Sequence, residues 1–166
     1  MPTFIRLTAG ALALAEDPFT NVGDEEAVPP GDVIISLTRF QTEGGALLGE
    51  GRAVGVRVES HEEVEALAYD LPQLAVVALV FPKFGDGRAY TSARLLRERF
   101  NFKREVRAVG DVLREQAGYM LRCGFDAFEP ADGSTLADWE RATQRYRHVY
   151  QRSSDGRAPA SAERGG

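Results

Sequence analysis

Leu74-Ala75-Val76-Val77-Ala78-Leu79-Val80-Phe81 is an uninterrupted apolar run between Pro72 and Pro82. A run of this length bounded by prolines reads as a strand covered on both faces, which is the habit of a parallel sheet. The turn Pro82-Lys83-Phe84-Gly85-Asp86-Gly87 follows, and Ala89, Ala93, Leu96 and Phe100 then recur at helical spacing. One strand, one glycine-rich turn and one helix make a single βα unit.

The same grammar extends in both directions. Upstream, Asp32 to Phe40 and Ala53 to Val58 read as strands, with Gly44, Gly45, Gly49 and Gly51 punctuating the connection between them. Ser60 and Glu63 have capping-box spacing and predict a helix from His61 to about Asp70. Downstream, Glu105 to Val109 is a short strand, and Gly110-Asp111 is expected to open a helix that ends at Gly124. Phe125 to Phe128 is a last strand, and Thr135 with Asp138 predicts the cap of a helix reaching about Gln151. Strand followed by helix, repeated four times, implies right-handed crossovers and an α/β fold of repeated βα units with a mostly parallel sheet. Such a sheet is either open and doubly wound or half of a barrel. The expected organisation is an irregular N-terminal segment over residues 1–31, an α/β domain over 32–152 and a disordered tail over 153–166.

Composition excludes several classes. The chain has 166 residues, 43% of them hydrophobic and 27% charged, as in ordinary globular proteins. No stretch approaches the apolar length of a membrane-spanning helix. Arg6 with the run from Leu7 to Ala15 imitates a signal peptide poorly, since its positive region is one residue and Gly10 interrupts it; a cytoplasmic protein is expected. The net charge of −5 is unevenly spread: residues 1–80 hold 4 basic and 13 acidic groups, and residues 81–128 hold 10 and 6. A basic middle of that size suits a small anion or an acidic protein patch and does not suit nucleic acid.

Parallel sheets bind ligands at the carboxyl ends of their strands. That edge here carries Lys83, Asp86, Gly87, Arg88 and Asp111, with Arg94 further along the helix. Two cations, flexible glycines and a helix start are the parts of an anion cradle; the same residues also suit a glycine turn whose Asp86 caps the helix. Neither GxxxxGK[ST] nor GxGxxG occurs, so no motif requires a nucleotide cofactor. The one cysteine, Cys123, cannot form an internal disulfide and lacks the partners of a zinc or iron–sulfur site; it reads as a small buried hydrophobe near a helix end. His61 and His148 read as surface residues, Asp111 as a helix cap or an edge carboxylate, and Asp126 with Glu129 as acids without an assigned catalytic role.

The block from Phe81 to Arg97, with Arg107-Ala108-Val109-Gly110-Asp111-Val112-Leu113-Arg114-Glu115-Gln116 and Arg122-Cys123-Gly124-Phe125-Asp126-Ala127-Phe128-Glu129, resembles a bacterial domain family of unknown function. Asp24-Glu25-Glu26, Val33 to Leu37 and Tyr150-Gln151 extend the resemblance over roughly residues 16 to 152. That family is usually encoded beside sulfite reductase in sulfate-assimilation operons and often carries the label of an oxidoreductase. The resemblance implies an accessory of sulfate or sulfite reduction, with sulfite reductase or its electron donor as partner. It supplies no catalytic residues. The alternative reading is a small enzyme acting on an anionic substrate of the same pathway, with Lys83, Arg88 and Arg94 as anion ligands and Asp86 or Asp111 as acid or base.

Overall fold

The computed structural model describes residues 3–83 and 87–144. Asp86, His148, the last helix beyond Gln144 and the expected tail lie outside the described residues. The strands are β1 (Ile5–Thr8), β2 (Ala11–Leu14), β3 (Thr20–Asn21), β4 (Val33–Ser36), β5 (Val54–Val58), β6 (Val76–Phe81), β7 (Glu105–Gly110) and β8 (Ala127–Phe128). The helices among the described residues are α1 (Leu37–Gly49), α2 (Arg88–Arg94), α3 (Ala117–Cys123) and α4 (Leu136–Gln144).

All eight strands form one sheet in the order β2-β1-β8-β7-β6-β5-β4-β3. From β3 to β8 neighbours in space are neighbours in sequence and run parallel, while β1 is antiparallel to both β2 and β8. A sequential order has no reversal point, so right-handed crossovers all return over the same face. The packing agrees. Val33, Ile35, Val54, Val56, Val58, Val77, Leu79, Val106 and Ala108 share one core with the buried residues of all four helices, whereas Ile34, Val76 and Ala78 on the other face pack with Phe19. The sheet is therefore a half-barrel with its helices outside, and the doubly wound alternative does not apply.

Several expected boundaries change. Residues 1–31 are not wholly irregular: Ile5 pairs Leu14 and Thr8 pairs Ala11 across a two-residue turn in which Ala9 and Gly10 have φ of 52° and 82°. Two successive positive φ angles define the turn whose twist suits a β-hairpin. The strand beginning at Asp32 stops at Ser36, whose Oγ accepts from Arg39 N at 3.1 Å and caps α1. The glycines expected to form a connection instead lie largely within α1, where a Cβ on Gly44 would fall 2.3 Å from the Phe40 ring. Leu37, Phe40, Gly44 and Leu47 form the buried face of α1, and its packing on the core overrides the weak helix propensity of glycine.

The helix expected over 61–70 is reduced to short turns at Val64–Leu67 and Leu71–Gln73. Glu62 Oε1 accepts from Glu59 N at 2.9 Å, so the local bond forms one residue before the predicted capping box. At the other end, the capping box of α4 forms as read: Thr135 N donates to Asp138 Oδ2 at 2.9 Å, and Asp138 N donates to Thr135 Oγ1 at 3.2 Å. Gly124 closes α3 with φ of 110°, a left-handed cap that glycine adopts without cost. Among the described residues no helix is long and apolar enough to cross a membrane.

Candidate functional site

The carboxyl ends of β6 and β7 bring part of the expected edge together. Phe81 pairs Gly110, and Asp111 N donates to Phe81 O at 2.8 Å, so Pro82-Lys83 and Asp111 leave the sheet side by side. Gly110 has φ of +87°, and a Cβ there would stand 2.5 Å from the Phe81 carbonyl oxygen. Only glycine allows the two strand ends to approach this closely. Lys83, Gly87 and Arg88 are exposed, Gly87 forming the N-cap of α2 and Arg88 its first residue. Asp111 is half-buried and caps no helix: the turn that follows begins at Arg114 and α3 at Ala117.

Arg94, expected among the anion ligands, has partners within the chain. Its Nε lies 3.4 Å from Cys123 Sγ and one of its terminal nitrogens 3.4 Å from the Tyr119 hydroxyl, with the guanidinium 5.7 Å from the centre of that ring. It joins α2 to α3, and its interactions with Cys123 and then Tyr119 raise its pKa. Cys123 is buried, as the sequence suggested. Arg97 turns inward and donates to the carbonyls of Gly124 (2.9 Å), Phe102 (2.8 Å) and Arg104 (2.7 Å), with Asp126 at 3.3 Å. Burial lowers its pKa, and burial raises that of Asp126. Arg97 and Asp126 thus hold the helical turn Leu95–Arg99, which continues α2, against the residue that leads into β8.

The densest polar cluster lies elsewhere, on the concave face. Strand register places Ser36, Arg57, Ala78, Arg107, Ala127 and Arg6 in one row across that face. Arg107 is fully buried, and a cation there requires compensation. Its terminal nitrogens reach the Asp17 carboxylate at 2.7 and 3.0 Å, Nε reaches Glu105 at 2.8 Å and Nη1 reaches Glu129 at 3.1 Å. The rings of Phe4 and Phe19 stand 4.3 and 5.8 Å from the guanidinium carbon, and Arg6 adds a second cation 3.3 Å from Glu105. Burial alone would lower the Arg107 pKa, but Asp17 and Glu105 outweigh it and the net shift is upward. The signal for this cluster is present in the sequence: Val106 and Ala108 alternate with Glu105 and Arg107, which assigns two charges to the face opposite the helices.

Burial also raises the pKa of Glu105, against the opposing pull of Arg107 and Arg6. The folded protein therefore keeps this proton to a higher pH than the unfolded chain does, and stability falls as pH rises through the interval between the two values. Asp126 acts in the same direction. Urea midpoints measured between about pH 4.5 and about pH 7 should decline with pH, and Glu105→Gln should flatten the decline without abolishing it.

Among the described residues no group of three or more His, Cys, Asp or Glu side chains is placed to hold a metal ion. The strand edge presents exposed cations beside a carboxylate, a surface able to receive an anion or an acidic partner. Comparison with curated proteins finds no match to the chain. Residues 55–161, more than half of the chain and running from within β5 past β8, match the family described as "Bacterial protein of unknown function (DUF934)", and the chain belongs to that family.

Proposed function

We propose that this protein is an accessory of assimilatory sulfite reduction, acting with sulfite reductase or its electron donor through the carboxyl edge of its parallel strands. The resemblance set out above, to a family encoded beside sulfite reductase, supports the pathway. The observation that carries the mode of action is a contrast between two sets of cations. Arg107 on the concave face is fully buried, whereas Lys83 and Arg88 are exposed where the strands end. An acidic surface approaching the molecule meets the second set.

The test is affinity purification of the tagged protein from cells growing on sulfate, with the reductase and its electron donors quantified in the eluate. Near-stoichiometric recovery of one of them is expected. Two exposed ion pairs contribute about 0.7 kcal/mol each, so Lys83→Ala with Arg88→Ala should lower recovery about tenfold while leaving the fold intact. Turnover of a sulfur compound by the isolated protein would replace this reading with the enzymatic one, and normal growth on sulfate after deletion of the gene would remove both.

A further inference from the structure

We infer that the Arg107 guanidinium is a receiving site for a small monocarboxylate, in which Asp17 sits as an internal stand-in. The contact between Asp17 and Arg107 is two-pronged, Oδ2 at 2.7 Å from Nη1 and Oδ1 at 3.0 Å from Nη2. This is the fork geometry by which arginine recognises any carboxylate. The rest of the guanidinium is held independently, by Glu105 on Nε, by Glu129 on Nη1 and by the Phe4 ring across one face. Removing Asp17 therefore leaves an oriented cation and does not collapse the group that receives the anion.

Asp17 belongs to a strap, residues 16–19, between β2 and β3. The strap is anchored at its ends by Ala15 N donating to Phe4 O at 3.0 Å and Thr20 N donating to Asp32 O at 2.9 Å. Between those anchors, among the described residues, the hydrogen bonds that tie it to the sheet are those of the Asp17 carboxylate. The remaining polar contact of the strap is internal, Phe19 N donating to Asp17 Oδ1 at 3.0 Å. The Asp17 and Glu129 side chains are 24% and 30% exposed while that of Arg107 is 0% exposed, so the carboxylate side of the cluster is the side that faces water.

Charge sets the class of ligand. Without Asp17 the cluster holds Arg107 and Arg6 against Glu105 and Glu129, an even balance. A monoanion restores the native charge; a dianion such as sulfate adds a further negative charge beside two buried or half-buried carboxylates. The site therefore favours formate or acetate over sulfate.

The experiment uses the full chain carrying Asp17→Ala, with thermal unfolding followed in sodium formate, sodium acetate, sodium chloride and sodium sulfate at equal ionic strength. Each midpoint is compared with that of the unaltered protein in the same salt, which cancels general salt effects. Formate and acetate at about ten times their dissociation constant should raise the midpoint of the variant by about 3 °C more than chloride does. Adding Arg107→Met should remove that gain. Equal shifts in formate and chloride, or a larger one in sulfate, would overturn the assignment. If Asp17→Ala folds in none of the salts, amide exchange in the unaltered protein decides: formate should accelerate exchange at Phe19, whose N–H rests on Asp17, and an unchanged rate overturns the site.

Discussion

Arg107→Met should lower the unfolding free energy by about 3–5 kcal/mol, because it breaks a buried charge cluster and leaves the buried Glu105 with the half-exposed Arg6 as its one remaining cation among the described residues. Methionine fills much of the arginine stem and keeps contact with Phe4 and Phe19, so lost volume contributes little. What remains is Glu105, 8% exposed, with Arg6 as its nearest cation at 3.3 Å, and Asp17 and Glu129 with no partner on the sheet face. Asp17 and Glu129 reach solvent and relax; Glu105 does not. Since burial already raises the Glu105 pKa, the variant should recover part of its loss as the pH is lowered and that carboxyl takes up a proton. Urea unfolding at neutral and mildly acidic pH measures both quantities. A loss below about 1 kcal/mol would mean that water reaches the cluster freely and that its enclosure contributes nothing.

Trp139→Ala should cost a similar about 3–5 kcal/mol, through a different cause. Trp139 is fully buried, and its ring lies 4.9 Å from that of Phe128. Its Nε1 donates to Ser134 Oγ at 2.7 Å, and Ser134 in turn donates to Asp132. Asp132 also accepts from Arg114 N at 3.1 Å, so one indole ties α4 to β8 and to the loop ahead of α3. The alanine variant loses the packed ring and leaves a cavity between helix and sheet. Trp139→Phe keeps most of the ring and forfeits the hydrogen bond, for about 1 kcal/mol. Equal losses from the two variants would assign the whole effect to the polar chain through Ser134 and Asp132.

The parallel strands were legible because burial on both faces leaves a continuous apolar run, as in Val76 to Phe81, and proline marks its limits. The parallel pairing of the strands followed from the alternation of strand and helix. Two features of the fold were not legible for stated physical reasons. Gly44 reads locally as a helix breaker; its place inside α1 depends on the burial of the Leu37, Phe40, Gly44 and Leu47 face, and the Phe40 ring lying across it leaves no room for a side chain. The β1–β2 hairpin is short, and its Ala9-Gly10 turn lacks the asparagine or aspartate that marks such turns most strongly.

The candidate site was legible at its backbone and less so in its side chains. The edge formed by Lys83, Gly87, Arg88 and Asp111 follows from strand polarity alone. The destination of Arg94 depends on the angle between α2 and α3, which no local pattern encodes. The Arg107 cluster joins residues 90 positions apart, and its partner Asp17 sits in a segment without periodicity. Alternation in β7 gives the side of the sheet on which Arg107 lies; nothing in the local sequence gives its ligand.

The strand order also constrains how the chain is assembled during synthesis. From β3 to β8 each strand docks on the one made just before it, so the half-barrel can grow in the order in which residues leave the ribosome. The β1–β2 hairpin, made first, has its place beside β8, where Ile5 meets Phe128. It must wait until more than a hundred further residues have been added, and Asp17 waits 90 residues for Arg107. The first strands to be translated are the last to find their seat, and the opposite end of the sheet is complete before they do.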